Sequence, residues 1–103
     1  MEEVLKKMKE NINNTKIKLM SCKDVMQLDV LAYELVAKEE IFGAIENNLI
    51  NIEDYIEVLQ KEENPLEKIF RTFMRIIWES NRIIDDEQIY DCLDTIKEDF
   101  KNE

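Results

Sequence analysis

The groups in this chain that could do chemistry are carboxylates and thiols, because its 103 residues include no histidine. Without imidazole there is no base for Ser21 or Ser80, no Cys-His pair for Cys22 or Cys92, and no His-ligated metal. The single glycine also excludes a Gly-rich phosphate loop. What remains are the acidic pairs Glu39/Glu40, Glu62/Glu63 and Asp85/Asp86. Adjacent carboxylates can bind Mg²⁺ or divide acid and base work between them. Solvated surface carboxylates are the better assignment, and Asp85 and Asp86 suit a helix N-terminus, where negative charge is favoured. We expect no catalytic residue, no metal and no cofactor: the chain is not expected to be an enzyme. Cys22 and Cys92 lack CxxC spacing and are expected as two reduced, mostly buried thiols.

Binding is the other chemistry on offer. Lys68, Arg71, Arg75, Trp78 and Arg82 recur at helical spacing on one face, and Arg and Trp are enriched at binding hot spots and also contact bases and phosphates. The competing assignment packs this stripe against the chain's own acidic helices, with Trp78 partly in the core. A second candidate surface is acidic: Glu39, Glu40, Gly43, Glu46 and Asn47, followed by Glu53, Asp54 and Glu57. In the plainer reading, Glu39 and Glu46 are solvated edges of a helix whose early turns meet two neighbours and whose later turns meet one, while Gly43 permits close helix packing. In the sharper one, a basic partner approaches these acids closely.

These side chains need elements to position them. Gly and Pro occur once each against 45% apolar and 37% charged residues, which favours helices and leaves few turn-formers for a sheet. Val4, Leu5, Met8, Ile12 and Leu19 predict a first helix, with Asn11, Asn13, Asn14 and Thr15 as poor formers in its middle. We expect residues 1–20 to be a loosely attached helix, frayed or broken near Asn13. Ser21 followed by Asp24 reads as a capping box that starts a second helix near Cys22. Its core stripe would be Leu28, Leu31, Leu35, Lys38, Phe42, Ile45 and Leu49, with only Lys38 polar.

Asn51 caps a compact third helix carrying Tyr55, Ile56 and Leu59. Asn64, Pro65 and Glu67 form a cap, a first-turn proline and an acid at the third position, starting a fourth helix with Leu66, Ile69, Phe70, Phe73 and Ile77 inside. An Asp-rich segment then opens a last helix with the apolar set Ile89, Cys92, Leu93, Ile96 and Phe100. The expected fold is all-α, a compact bundle of four or five short helices in one domain spanning 1–103.

Three segments, "AYELVAKEEIFGAIEN", "NPLEKIFRTF" and "DEQIYDCLDTIKE", carry a resemblance over residues 24–97. They are similar to domain-of-unknown-function family 3848, small helical proteins of Gram-positive anaerobes and their mobile elements. The resemblance implies a helical fold and no established activity.

Net charge is −10, with residues 21–64 and 85–103 acidic and residues 1–20 and 65–84 net basic. Such a chain is repelled by nucleic acid over most of its surface and attracted to basic surfaces. It has no apolar block suited to a signal peptide or a membrane span, so a soluble cytoplasmic protein is expected. Together these readings point to a non-catalytic acidic protein-interaction module. Its expected partner is a protein with a basic, nucleic-acid-binding surface, a CRISPR effector being the most concrete example, which would make the chain an anti-CRISPR-like inhibitor by analogy with small acidic phage proteins. Direct nucleic-acid binding through the Lys68/Arg71/Arg75/Trp78/Arg82 face is the second class and a self-associating helical homo-oligomer the third.

Overall fold

The structure, a computed structural model, describes residues 1–76 and 85–102. Its elements are α1 (Glu2–Ser21), α2 (Val25–Glu46), a 3-10 turn (Glu53–Tyr55) running directly into α3 (Ile56–Lys61), α4 (Pro65–Ile76) and α5 (Asp86–Lys101). This is the expected all-α bundle, and its first two helices, of 20 and 22 residues, are its longest described elements.

Helix α1 is neither broken nor loosely held. It runs through Asn13 without interruption, and Val4, Met8, Asn11 and Thr15 form a buried stripe at helical spacing. Weak intrinsic propensity costs only a few tenths of a kcal/mol at each Asn or Thr, approximately, so burial along one face decides the outcome. The polar members of that stripe are satisfied. Thr15 Oγ1 donates to the Asn11 carbonyl at 2.9 Å, and the Asn11 side chain spans to α4.

Two side chains one turn apart on α1 clasp the α3–α4 junction. Lys7 Nζ donates to the carbonyls of Gln60 at 3.0 Å and Glu62 at 3.1 Å, where the last turn of α3 leaves acceptors unpaired. Asn11 Oδ1 accepts the main-chain N–H of Leu66 at 3.0 Å and of Glu67 at 3.3 Å, while its Nδ2 donates to Asn64 Oδ1 at 3.0 Å. The start of α4 is therefore capped from α1 across the core, and the local Asn64 signal works through Asn11.

Elsewhere the caps are local. Ser21 belongs to the last turn of α1, and Asp24 rather than Ser21 caps α2, accepting the Met26 N–H at 3.0 Å. The start moves from the expected Cys22 to Val25 because the Asp24 carboxylate is the acceptor in reach of the free N–H groups. Asn51 Oδ1 accepts from the Glu53 N–H at 2.9 Å, opening the 3-10 turn. Asp85 and Gln88 form a reciprocal capping box on α5.

The core comprises Val4 and Met8 of α1, Ile41, Phe42 and Ile45 of α2, Ile50 and Ile52 of the following loop, Val58 and Leu59 of α3, Leu66, Ile69 and Phe73 of α4, and Ile89, Cys92, Leu93 and Ile96 of α5. Tyr55 and Ile56 pack at its edge, and Ile77 lies outside the described residues. Two expectations for α2 are corrected. Leu28, Leu31 and Leu35 are only half-buried and Leu49 is exposed, and the buried arc widens along the helix instead of narrowing. No residue of α2 before Ala37 is buried. The reason is tertiary: among the described residues α2 buries its side chains only from Ala37 onward, while nearer its start Tyr33 still reaches α4, its ring centre 6.2 Å from that of Phe70.

Lys38 sits inside this arrangement with 2% of its surface exposed. Its ammonium donates to Thr15 Oγ1 at 2.9 Å, pairs with Glu34 Oε2 at 3.0 Å and lies 6.0 Å from the centre of the Phe70 ring. A buried charge is tolerated when paired and hydrogen-bonded, and each of those conditions is met.

Candidate interaction surfaces

The basic stripe on α4 is only partly described. Trp78 and Arg82 lie outside the described residues. Arg71 and Arg75 are exposed, yet both are already paired within the chain: Arg71 with Glu67 of the same helix at 3.1 Å, and Arg75 with Asp99 of α5 at 3.2 Å. Lys68 is half-buried. The two arginines thus combine features of both expected arrangements, held by internal acids while remaining at the surface. Pairs this exposed contribute about 0–1 kcal/mol and leave the guanidinium groups available at little cost.

The predicted acidic residues divide between two places. Glu39 and Glu40 are exposed on the outward side of α2, in no ion pair among the described residues. Glu46, at the end of the same helix, and Glu53 share the wall of an open depression of about 280 Å³ with Asn48 and Asn51. Gly43 also corrects its expected role. A Cβ built there would meet nothing within 4 Å, so its missing side chain allows no close packing inside the chain. Asn47 is exposed and ends the helix.

Glu53 and Asp54 in the 3-10 turn and Glu57 in α3 are exposed, and the fold brings them beside α5. Tyr55 makes the junction: its hydroxyl donates to Asp94 Oδ1 at 2.5 Å, and Lys97 Nζ lies 5.5 Å from its ring centre. One turn earlier on α5, the Tyr90 hydroxyl accepts the Asn51 N–H at 2.8 Å. Glu87, Asp91, Asp94 and Glu98 recur at helical spacing and are all exposed, so one acidic edge of α5 runs past the acidic turn. The local field shows in the phenol of Tyr55, pushed up to about 12 by the Asp94 hydrogen bond first, then by burial and by the charges of Asp94 and Asp54.

Sequence reasoning missed the α5 half of this surface. Its signals were present in the acidic balance of residues 85–103 and the spacing of its acids, but nothing in the order of residues says that α5 lies against the 3-10 turn. Asp85, by contrast, is occupied as a cap. Among the described residues no three acidic or thiol side chains converge as a metal site requires, and no helix is long and apolar enough to cross a membrane. Cys22 and Cys92 are both free, the first half-buried and the second buried, and burial pushes the Cys92 thiol up to about 12. No protein-family model, curated protein or solved structure was found to match the chain.

Proposed function

We propose that this chain is a non-catalytic acidic interaction module that binds the basic, nucleic-acid-contacting surface of another protein and so modulates or blocks it. The observation that supports this reading is the Tyr55–Asp94 contact, because it joins the acids of two elements far apart in sequence into one exposed surface. Glu53, Asp54 and Glu57 stand on one side of that contact and Asp91, Asp94 and Glu98 on the other, with Glu46 near the Glu53 end. A groove that receives phosphates presents Lys and Arg, and a fixed array of carboxylates competes for the same cations while net charge steers the encounter.

Within that class a CRISPR effector, which holds its guide–target duplex in a positively charged channel, is the partner to test first. Direct nucleic-acid binding through Lys68, Arg71 and Arg75 is the weaker reading, since both arginines carry internal acidic partners and the net charge of −10 opposes a polyanion.

The test is affinity capture from a host lysate followed by mass spectrometry, then kinetics with the partner recovered. Association should be fast at low salt and slow steeply as salt rises. Reversing Glu53, Asp54 and Glu57 to Lys should weaken binding by about tenfold or more without unfolding the domain. Recovery of no specific partner, with defence-nuclease activity unchanged when the protein is added, would remove the proposal.

A further inference from the structure

The largest apolar exposure on the described surface lies away from the acidic face, on the outer side of the α1–α2 pair. Ile17, Met20, Val25 and Val36 are 55 to 86% exposed and face outward from the C-terminal half of α1 and the first twelve residues of α2, with Met26 exposed on the flank. Their positions follow from helix geometry. The core side of α1 is set by Val4, Met8, Asn11 and Thr15, and 100° per residue turns Ile17 and Met20 nearly opposite. The core side of α2 is set by Ala37, Ile41 and Ile45, and the same rotation turns Val25, Ala32, Val36 and Gly43 outward. Both helices are neighbours with their inner sides toward α4, so their outer sides make one two-helix surface. A helix that is apolar on most sides normally has neighbours on most sides, and among the described residues no side chain of α2 before Ala37 is fully buried.

We propose that a second copy of this chain covers this surface, through a twofold axis running along the α1–α2 pair that lays α1 of each copy over α2 of the other. Charge selects this occupant. Along the outer side of α1 stand Lys6, Lys9 and Lys16, and along the outer side of α2 stand Asp29, Glu39 and Glu40, none of them in an ion pair among the described residues. The Lys38–Thr15 hydrogen bond fixes the antiparallel register of the two helices and sets Lys9 level with Glu39 and Glu40, and Ile17 level with Ala32. A twofold axis along the helices preserves those levels. It therefore sets Lys9 against Glu39 and Glu40 at one end and Ile17 against Ala32 at the other, with Lys16 and Asp29 beside the apolar side chains.

The outward positions Val25, Asp29, Ala32, Val36, Glu39 and Gly43 also follow heptad spacing, the pattern of a helix-to-helix seam, and small residues at Ala32 and Gly43 allow close approach. The area suffices. The exposed apolar side chains present on the order of 400 Å². At the roughly 60% apolar content of an interface, this corresponds to about 700 Å² per copy, close to the ~800 Å² of a standard interface. The surface is separate from the acidic face of the 3-10 turn and α5, so the two proposals stand or fall independently.

Sedimentation velocity and light scattering from about 1 to 200 μM test it, a range in which micromolar dimers dissociate. The unmodified chain should approach twice its 12.4 kDa mass as concentration rises. Ile17→Glu with Val36→Glu should remain monomeric throughout with an unchanged circular-dichroism spectrum. Lys9→Glu should weaken the dimer about five- to tenfold, and adding Glu40→Lys should restore it, which a general loss of folding would not do. Reversing Glu53, Asp54 and Glu57 should leave the dimer intact. A concentration-independent monomer, or a dimer indifferent to both the apolar and the charge-exchange variants, would overturn the proposal.

Discussion

The Asn11 side chain caps the first turn of a helix that begins more than fifty positions later, accepting the Leu66 N–H at 3.0 Å from inside the core. That bond ties the first helix to the fourth and satisfies a donor that burial hides from water. Asn11→Ala should therefore cost about 2–3 kcal/mol, combining a lost cap with unsatisfied buried N–H groups. Asn13→Ala, at an exposed position two residues on, should change stability by less than about 0.5 kcal/mol. Urea titration of both variants checks the contrast, and equal effects would show that Asn11 does not cap α4.

Lys38 should behave as a buried cation held by specific partners. Thr15→Val removes one of them and should cost about 1–3 kcal/mol. Lys38→Met removes the charge and keeps the stem but leaves the part-buried Glu34 carboxylate without its partner, so it should cost about 1–3 kcal/mol. With Lys38→Met in the background, Thr15→Val should lose most of its cost. Additive effects in this double-mutant cycle would contradict the contact.

Gly43 lies in the last turn of α2 with open space where a side chain would go. Gly43→Ala should stabilise the monomer by about 0.5–1 kcal/mol through the restricted unfolded chain and better helix propensity. Thermal melting at a concentration low enough to keep the chain monomeric measures it. A loss of stability would mean that a neighbour approaches Gly43.

Stability should fall at alkaline pH, in part through Tyr55. Its phenol ionises near 10.0 when unfolded and about 12 when folded, so between those values the unfolded chain binds fewer protons and unfolding becomes easier as pH rises. The contribution is fully present below pH 10.0 and lost through about 12. Tyr55→Phe should flatten the decline across this window in denaturant midpoints measured at successive pH values.

The two thiols should separate by reactivity. Cys22 is partly accessible, whereas Cys92 is buried with its thiol pushed up to about 12, so the thiolate that attacks a reagent is scarce at neutral pH. A disulfide reagent at pH 8 should modify Cys22 quickly and Cys92 only as fast as the domain opens. Rapid modification of both would contradict the packing of α5.

The sequence by itself determined the helical class, the cap at Asn51, the acidic entry to α5 at Asp85 and Asp86, and the inner faces of α4 and α5. Each depends on residues within a few positions of one another, where periodicity and capping chemistry act directly. It also supplied the acids of α2 and α3 and the arginines of α4 as surface candidates. Only the tertiary structure decided where those faces lie relative to one another. Long-range bonds of Lys7 and Asn11 made α1 an integral support despite its unpromising Asn-rich middle, and the Tyr55–Asp94 bond joined two acidic segments into one surface. The first half of α2 illustrates the same division. Leu28, Leu31 and Leu35 have the composition of a core stripe, but composition cannot say how far along a helix the neighbouring helices extend. Here full burial begins only at Ala37 among the described residues, leaving Val25, Val30 and Val36 at the surface.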